Sequence, residues 1–171
     1  GASAPPASTP PALLDLLQFP YLQGLNFVTA LARRGGIGTI DGAFSRLPAS
    51  TEQIIHPAKY PGDVPRQPDI PDLAPALGPD WRDLAVGQVG EEWLSAYLSL
   101  RLVSSEAQVA AAGWDGGVFR SWTDGHHVAA ILSTTWDTQN DSEQFGNAMK
   151  HWLASGTTLA EIVHVGDEVQ V

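Results

Sequence analysis

Gly117-Val118-Phe119-Arg120-Ser121-Trp122-Thr123, then Asp124-Gly125, then His127-Val128-Ala129-Ala130-Ile131-Leu132-Ser133-Thr134-Thr135-Trp136 is the stretch that decides the fold. Two runs rich in β-branched and aromatic residues flank a dipeptide favoured in tight turns, which predicts an antiparallel hairpin. Val128, Ala130 and Leu132 alternate as in a half-buried strand. Downstream, Asp141 to Ala154 reads as a helix with Phe145, Met149 and Trp152 on one face. Leu159 to Val165 is a third strand candidate, and Gly166-Asp167 a turn into a fourth. Upstream, Glu91 to Val103 is helical, and Ser105 opens an Ala-rich helix closed by Gly113. Gly113-Trp114-Asp115-Gly116-Gly117 is a glycine-rich strand entry, without the preceding strand and following helix that a phosphate loop needs.

The first half has a different texture. Residues 1–11 contain only Gly, Ala, Ser, Thr and Pro and read as a disordered linker. From Ala12 on, Leu13, Leu14, Leu17, Tyr21, Leu25, Val28 and Ala32 recur at helical steps, widened by Phe27 and Leu31. Pro20 is expected to kink or divide this run. Arg33 and Arg34 suit its C-terminal turn, and Gly35-Gly36 ends it. A short helix with Ile37, Ile40, Phe44 and Leu47 on one face follows. Ser50 and Gln53 are spaced for a capping box opening another. Tyr60 to Pro79 holds six prolines and reads as an extended surface segment, with Ile70 and Leu73 as apolar anchors.

The expectation is therefore an α+β chain. A helical portion over 12–60 and a proline-rich connector over 61–80 lead into an α-α-β-β-α-β portion over 81–171. Residues 12–171 form one domain, with the hairpin and third strand in a small antiparallel sheet.

Composition narrows function by exclusion. The 171 residues carry a net charge of −10, with nine Lys+Arg against nineteen Asp+Glu, which disfavours nucleic acid and anionic lipid as partners. No apolar run approaches the roughly 18 residues of a membrane span. The absence of Cys excludes disulfides, thiol nucleophiles and thiolate-held metal. The five histidines form no H-x-x-x-H pair, and His126-His127 point to opposite faces of a hairpin, so no metal site is expected within the chain. There is no G-x-S-x-G elbow. Glu91-Glu92 and Asp141-Ser142-Glu143 sit near helix starts, where acids complement the helix dipole. The six tryptophans are scattered over several elements, as expected of packing residues.

The most distinctive motif is Ser50-Thr51-Glu52-Gln53-Ile54-Ile55-His56-Pro57-Ala58-Lys59-Tyr60. Pro57 fixes the backbone between two hydrogen-bonding side chains, His56 and Tyr60. Those residues leave two readings open. One is a preorganised donor pair; the other is a buried turn whose polar tips satisfy nearby carbonyls.

The same motif resembles one in an uncharacterised bacterial family of gluzincin-like metallopeptidases, often exported or lipid-anchored. The resemblance also touches Phe19-Pro20-Tyr21, Gly24-Leu25-x-Phe27-Val28, Gly35-Gly36, Ala112-Gly113-Trp114-x-Gly116 and Thr135-Trp136-Asp137-Thr138, followed by the helix holding Phe145. In such proteins the zinc-binding H-E-x-x-H helix and an acidic third ligand would lie upstream, and this sequence contains neither. The resemblance thus implies a non-catalytic C-terminal part of an exported (periplasmic or cell-surface) metallopeptidase-like protein, shaping a substrate groove. His56 and Tyr60 would be oxyanion stabilisers, and Glu52 and Gln53 supporting or capping groups. No cofactor is expected in this chain itself, zinc entering only with upstream sequence. The expected partner is the upstream part of the same polypeptide or another protein or peptide. A stand-alone binding or assembly module without activity is the competing expectation, and an intact enzyme the least supported.

Overall fold

In a computed structural model, the structure describes residues 9–171. Residues 1–8 of the expected linker lie outside the described residues, and Pro11 already opens the first helix. The N-terminal helices are α1 (Pro11–Gly35), α2 (Ile37–Ser45) and α3 (Thr51–Ile55). After the connector, interrupted by one short turn of helix, α4 (Ala74–Leu77), come β1 (Arg82–Gln88), α5 (Glu91–Leu98), α6 (Ser104–Ala111), β2 (Trp114–Thr123), β3 (Val128–Trp136), α7 (Gln139–Ala154), β4 (Val163–Val165) and β5 (Glu168–Gln170). The chain is α+β: helices first, then an antiparallel five-stranded sheet in the order β1-β2-β3-β5-β4.

The β2–β3 hairpin forms the middle of the sheet, paired from Trp114↔Trp136 to Thr123↔Val128. Its turn is held by Asp124, whose Oδ1 accepts the backbone N–H groups of His126 and His127. β1 pairs with β2 although nothing in its sequence marked it, because its exposed edge position leaves Leu84 and Val86 facing solvent. The third strand is shorter than expected, running only over Val163–Val165 with Leu159 outside it. The helix expected to reach Val103 stops at Leu98 in a tight turn, where Leu100 and Arg101 N–H groups bond to carbonyls three residues back. Pro20 does not divide this run: α1 is continuous, and Pro20 is exposed, so water can reach the carbonyl it leaves free.

The main core lies between the sheet and α5, α6 and α7. It includes Leu94, Leu98, Trp114, Trp136, Phe145 and Trp152. Trp136 stacks on Phe145 at 4.7 Å between ring centroids. A second, smaller cluster of Phe27, Leu31 and Tyr60 sits under the N-terminal helices.

The connector is tethered rather than loose. The Arg66 N–H donates to the Asp115 carbonyl at 2.6 Å; its guanidinium pairs with the Asp115 carboxylate and, at 2.8 Å, with Asp167. Gly116 makes this approach possible, because a Cβ there would stand 1.8 Å from the Arg66 carbonyl oxygen. Gly116→Ala is therefore expected to cost about 3 kcal/mol, measured by urea unfolding, since backbone on both sides has to move.

Candidate functional site

The motif around His56 forms a junction between the helical and sheet portions. Ser50 caps α3, its Oγ accepting the Gln53 N–H at 3.2 Å. The reciprocal half of the box is shifted by one residue, since Gln53 Oε1 accepts from the N–H of Ala49 at 2.8 Å. The Gln53 amide also donates to the Asp63 carbonyl, so this buried side chain binds the start of the connector to α3.

His56 and Tyr60 diverge. His56 Nε2 lies 2.9 Å from Glu91 Oε1 at the start of α5, and the imidazole remains 39% exposed. The Tyr60 hydroxyl donates to the Arg46 carbonyl at 2.6 Å, and its ring meets Phe27 edge-on in the smaller core. The pair thus has separate partners, with His56 towards α5 and Tyr60 towards the end of α2.

Between them Lys59 organises the charge. Its ammonium donates to Glu52 at 2.6 Å and to Asp137, and lies 3.1 Å from Asp63. These partners come from α3, the connector and the residue after β3, so one cation joins three segments. Two stretches far apart in sequence, the His56–Tyr60 motif and Trp136-Asp137-Thr138, therefore meet in space. Among the described residues, Glu52, Asp63 and Asp137 are the set whose oxygens, within 4.8 Å of one another, could surround a metal ion. Lys59 holds that position, and an ion would have to displace it.

Burial sets the electrostatics. Glu52 is 1% exposed, and desolvation pushes its carboxyl up to about 7 against the pull of Lys59. Three carboxylates hold Lys59 protonated well above the usual lysine range. Desolvation likewise raises Glu91, which His56 only partly offsets. Glu92 is pushed up to about 7 by burial, with the charges of Asp15 and Glu91 adding to it.

Sequence reasoning missed Lys59, Asp137 and Glu91 as members of this junction. Glu91 reads in the sequence as an acid complementing a helix dipole, and no local signal shows that it is buried. Elsewhere, Ser142 Oγ lies 2.7 Å from His164 Nε2, but Ser142 is fully buried with the Gln139 and Gly166 carbonyl oxygens also within reach of its one hydroxyl proton, which makes it a clamp between α7 and β4 and not an exposed nucleophile. His127 pairs with Asp124 at the hairpin tip at 3.0 Å.

A family model described as a domain of unknown function (DUF8575) matches residues 81–170, from just before β1 to the end of β5. The helical portion and the connector lie outside the matched range. No curated protein and no solved structure matches the chain.

Proposed function

The chain belongs to the DUF8575 family, a domain of unknown function, and from that premise we propose that it is a non-catalytic interaction module, docking through its N-terminal helices onto an apolar helical face of a protein partner. The carrying observation is that α1 is apolar on two faces and buries only one. Phe19, Phe27 and Leu31 turn inward, whereas Leu13, Leu17, Tyr21, Leu25 and Val28 form a second stripe facing solvent. Of the apolar stripe read from the periodicity, Phe27 and Leu31 are buried and these five residues are not. Tyr21 is 80% exposed and Phe44, on α2, 79%. An apolar groove of about 200 Å³ between α1 and α2, with Phe27 and Leu31 in its lining and Val28, Phe44 and Leu47 beside them, continues the surface.

A surface helix ordinarily turns its apolar stripe to the core and polar residues to water, so a second apolar face left in solvent stands out, and contiguous exposed apolar surface of this kind marks an interaction site. The stripe runs about 22 Å along the axis, the length of a helix-in-groove contact. In a more specific form of this reading, the partner is the catalytic portion of an exported metallopeptidase-like protein, and this chain shapes its substrate groove. The half-exposed His56 ring, which lines a cavity beside α1 and α5, supports that form. Tyr60, engaged on Arg46, would then position the segment and not touch substrate.

The test uses the chain alone, with the apolar dye ANS as probe. The wild type should bind dye, and Leu25→Glu combined with Phe44→Glu should reduce binding several-fold at unchanged circular dichroism. Equal dye binding by the double variant overturns the docking surface. A stoichiometric, tightly held zinc ion in the purified chain overturns the non-catalytic reading.

A further inference from the structure

Between α1 and the α5–α6 pair runs a polar trough. Two cavities of about 200 and 210 Å³ share Gln23, Glu92, Ser95 and Gln108 and so form one elongated cleft. One end reaches Asp15 and Gln18, the other His56 and Glu91. Neither Lys nor Arg lines it, although three carboxylates do.

Those carboxylates are poorly compensated. Asp15 and Glu92 have no ion-pair partner among the described residues. Glu91 is 4% exposed; one of its oxygens meets His56, but Oε2 is buried with no hydrogen-bond partner among the described residues. A buried carboxylate oxygen without a donor is costly and rare in folded proteins. Its complement is a positively charged N–H donor.

The shape of the cleft selects among cations. A compact metal ion calls for several carboxylates converging on one point, and the converging set among the described residues is Glu52, Asp63 and Asp137, already held by Lys59. In the trough the acids are strung out along its length, with apolar wall from Phe19, Leu22 and Ala96 between the polar groups. That alternation fits a chain of methylenes ending in ammonium groups.

We propose that this trough binds a linear alkylammonium ligand, with the Glu91 carboxylate and the Glu92–Asp15 pair receiving the ammonium groups and Phe19, Leu22 and Ala96 packing the methylene stem. Gln23, Gln108 and Ser95 supply further acceptors. The net charge of −10 draws such a cation towards the chain. The outward stripe of α1 takes no part, so this site stands apart from the docking surface above.

Isothermal titration at about 0.1 M salt, where long-range attraction is largely screened, tests the site with two probes. These are spermidine and a blocked tetrapeptide containing one lysine. Saturable one-to-one binding of either is expected; the first assigns a free polyamine as ligand and the second a lysine side chain. Glu91→Gln and Glu92→Gln should each weaken it about tenfold or more. Asp69→Asn, which removes the same charge from the exposed connector, should leave it unchanged. Gln108→Lys keeps both glutamates and supplies an ammonium from within, so it should block the probe at unchanged circular dichroism. If neither probe saturates, if Asp69→Asn weakens binding as much as Glu92→Gln, or if a folded Gln108→Lys still binds, the site does not exist.

Discussion

Acidification from about pH 8 to about pH 5 raises the stability of this chain towards urea, by about 3 kcal/mol or more. Glu52 carries a large share. Its carboxyl titrates near 4.5 in the ordinary state and at about 7 in the fold. The folded state therefore holds the proton more tightly than the unfolded chain does. The stabilisation is complete below the unfolded value of about 4.5 and is lost as pH rises through about 7. Glu92, also pushed up to about 7, and Glu91, raised by burial, act with the same sign. Asp124 and Asp167 act oppositely, since hydrogen bonds from His127 and Arg66 hold them below the usual range. Their contribution falls away only below the window in question. Urea midpoints at half-unit steps from pH 8 to 5 should rise steadily, and Glu92→Gln, which breaks no ion pair, should remove part of the slope. A flat or falling series would contradict the burial of these acids.

What the sequence made legible is what depends on near neighbours. The hairpin follows from Asp124-Gly125 and the alternation of Val128, Ala130 and Leu132. The start of α3 follows from Ser50 and Gln53, although the glutamine reaches Ala49 and not the cap itself. β1 was illegible because an edge strand is held by pairing with β2 and carries no burial pattern. The orientation of α1 was illegible for a different reason. Both of its faces are apolar, and periodicity cannot tell which one Tyr60, Ile54 and Ile40 will cover. In the junction, the motif from Ser50 to Tyr60 stood out, but its partners did not. Glu91 is 35 residues from His56 and Asp137 is 78 from Lys59, so only the folded chain shows that an acid assigned to a helix dipole is buried against an imidazole.

Replacing the lysine at the centre of that junction should do the most damage. Lys59→Met keeps most of the methylene stem and removes the ammonium, leaving Glu52, 1% exposed, without its cation. Breaking a buried pair from one side costs about 3–5 kcal/mol, because the remaining charge stays desolvated. Asp63 and Asp137, about a third exposed, can recover water and add little. The loss should depend on pH in the direction already derived. At about pH 8 Glu52 has to stay charged or take a scarce proton, whereas at about pH 5 it can be neutralised by protonation, so the cost of Lys59→Met should shrink on acidification. Glu52→Gln in the Lys59→Met background removes the stranded charge and should restore a large part of the stability at pH 8. Urea unfolding of the two single variants and the double variant at both pH values closes the cycle. A Lys59→Met penalty below about 1 kcal/mol at pH 8 would place Glu52 in water and dissolve the junction as a structural unit, since only a desolvated carboxylate makes one ammonium matter this much.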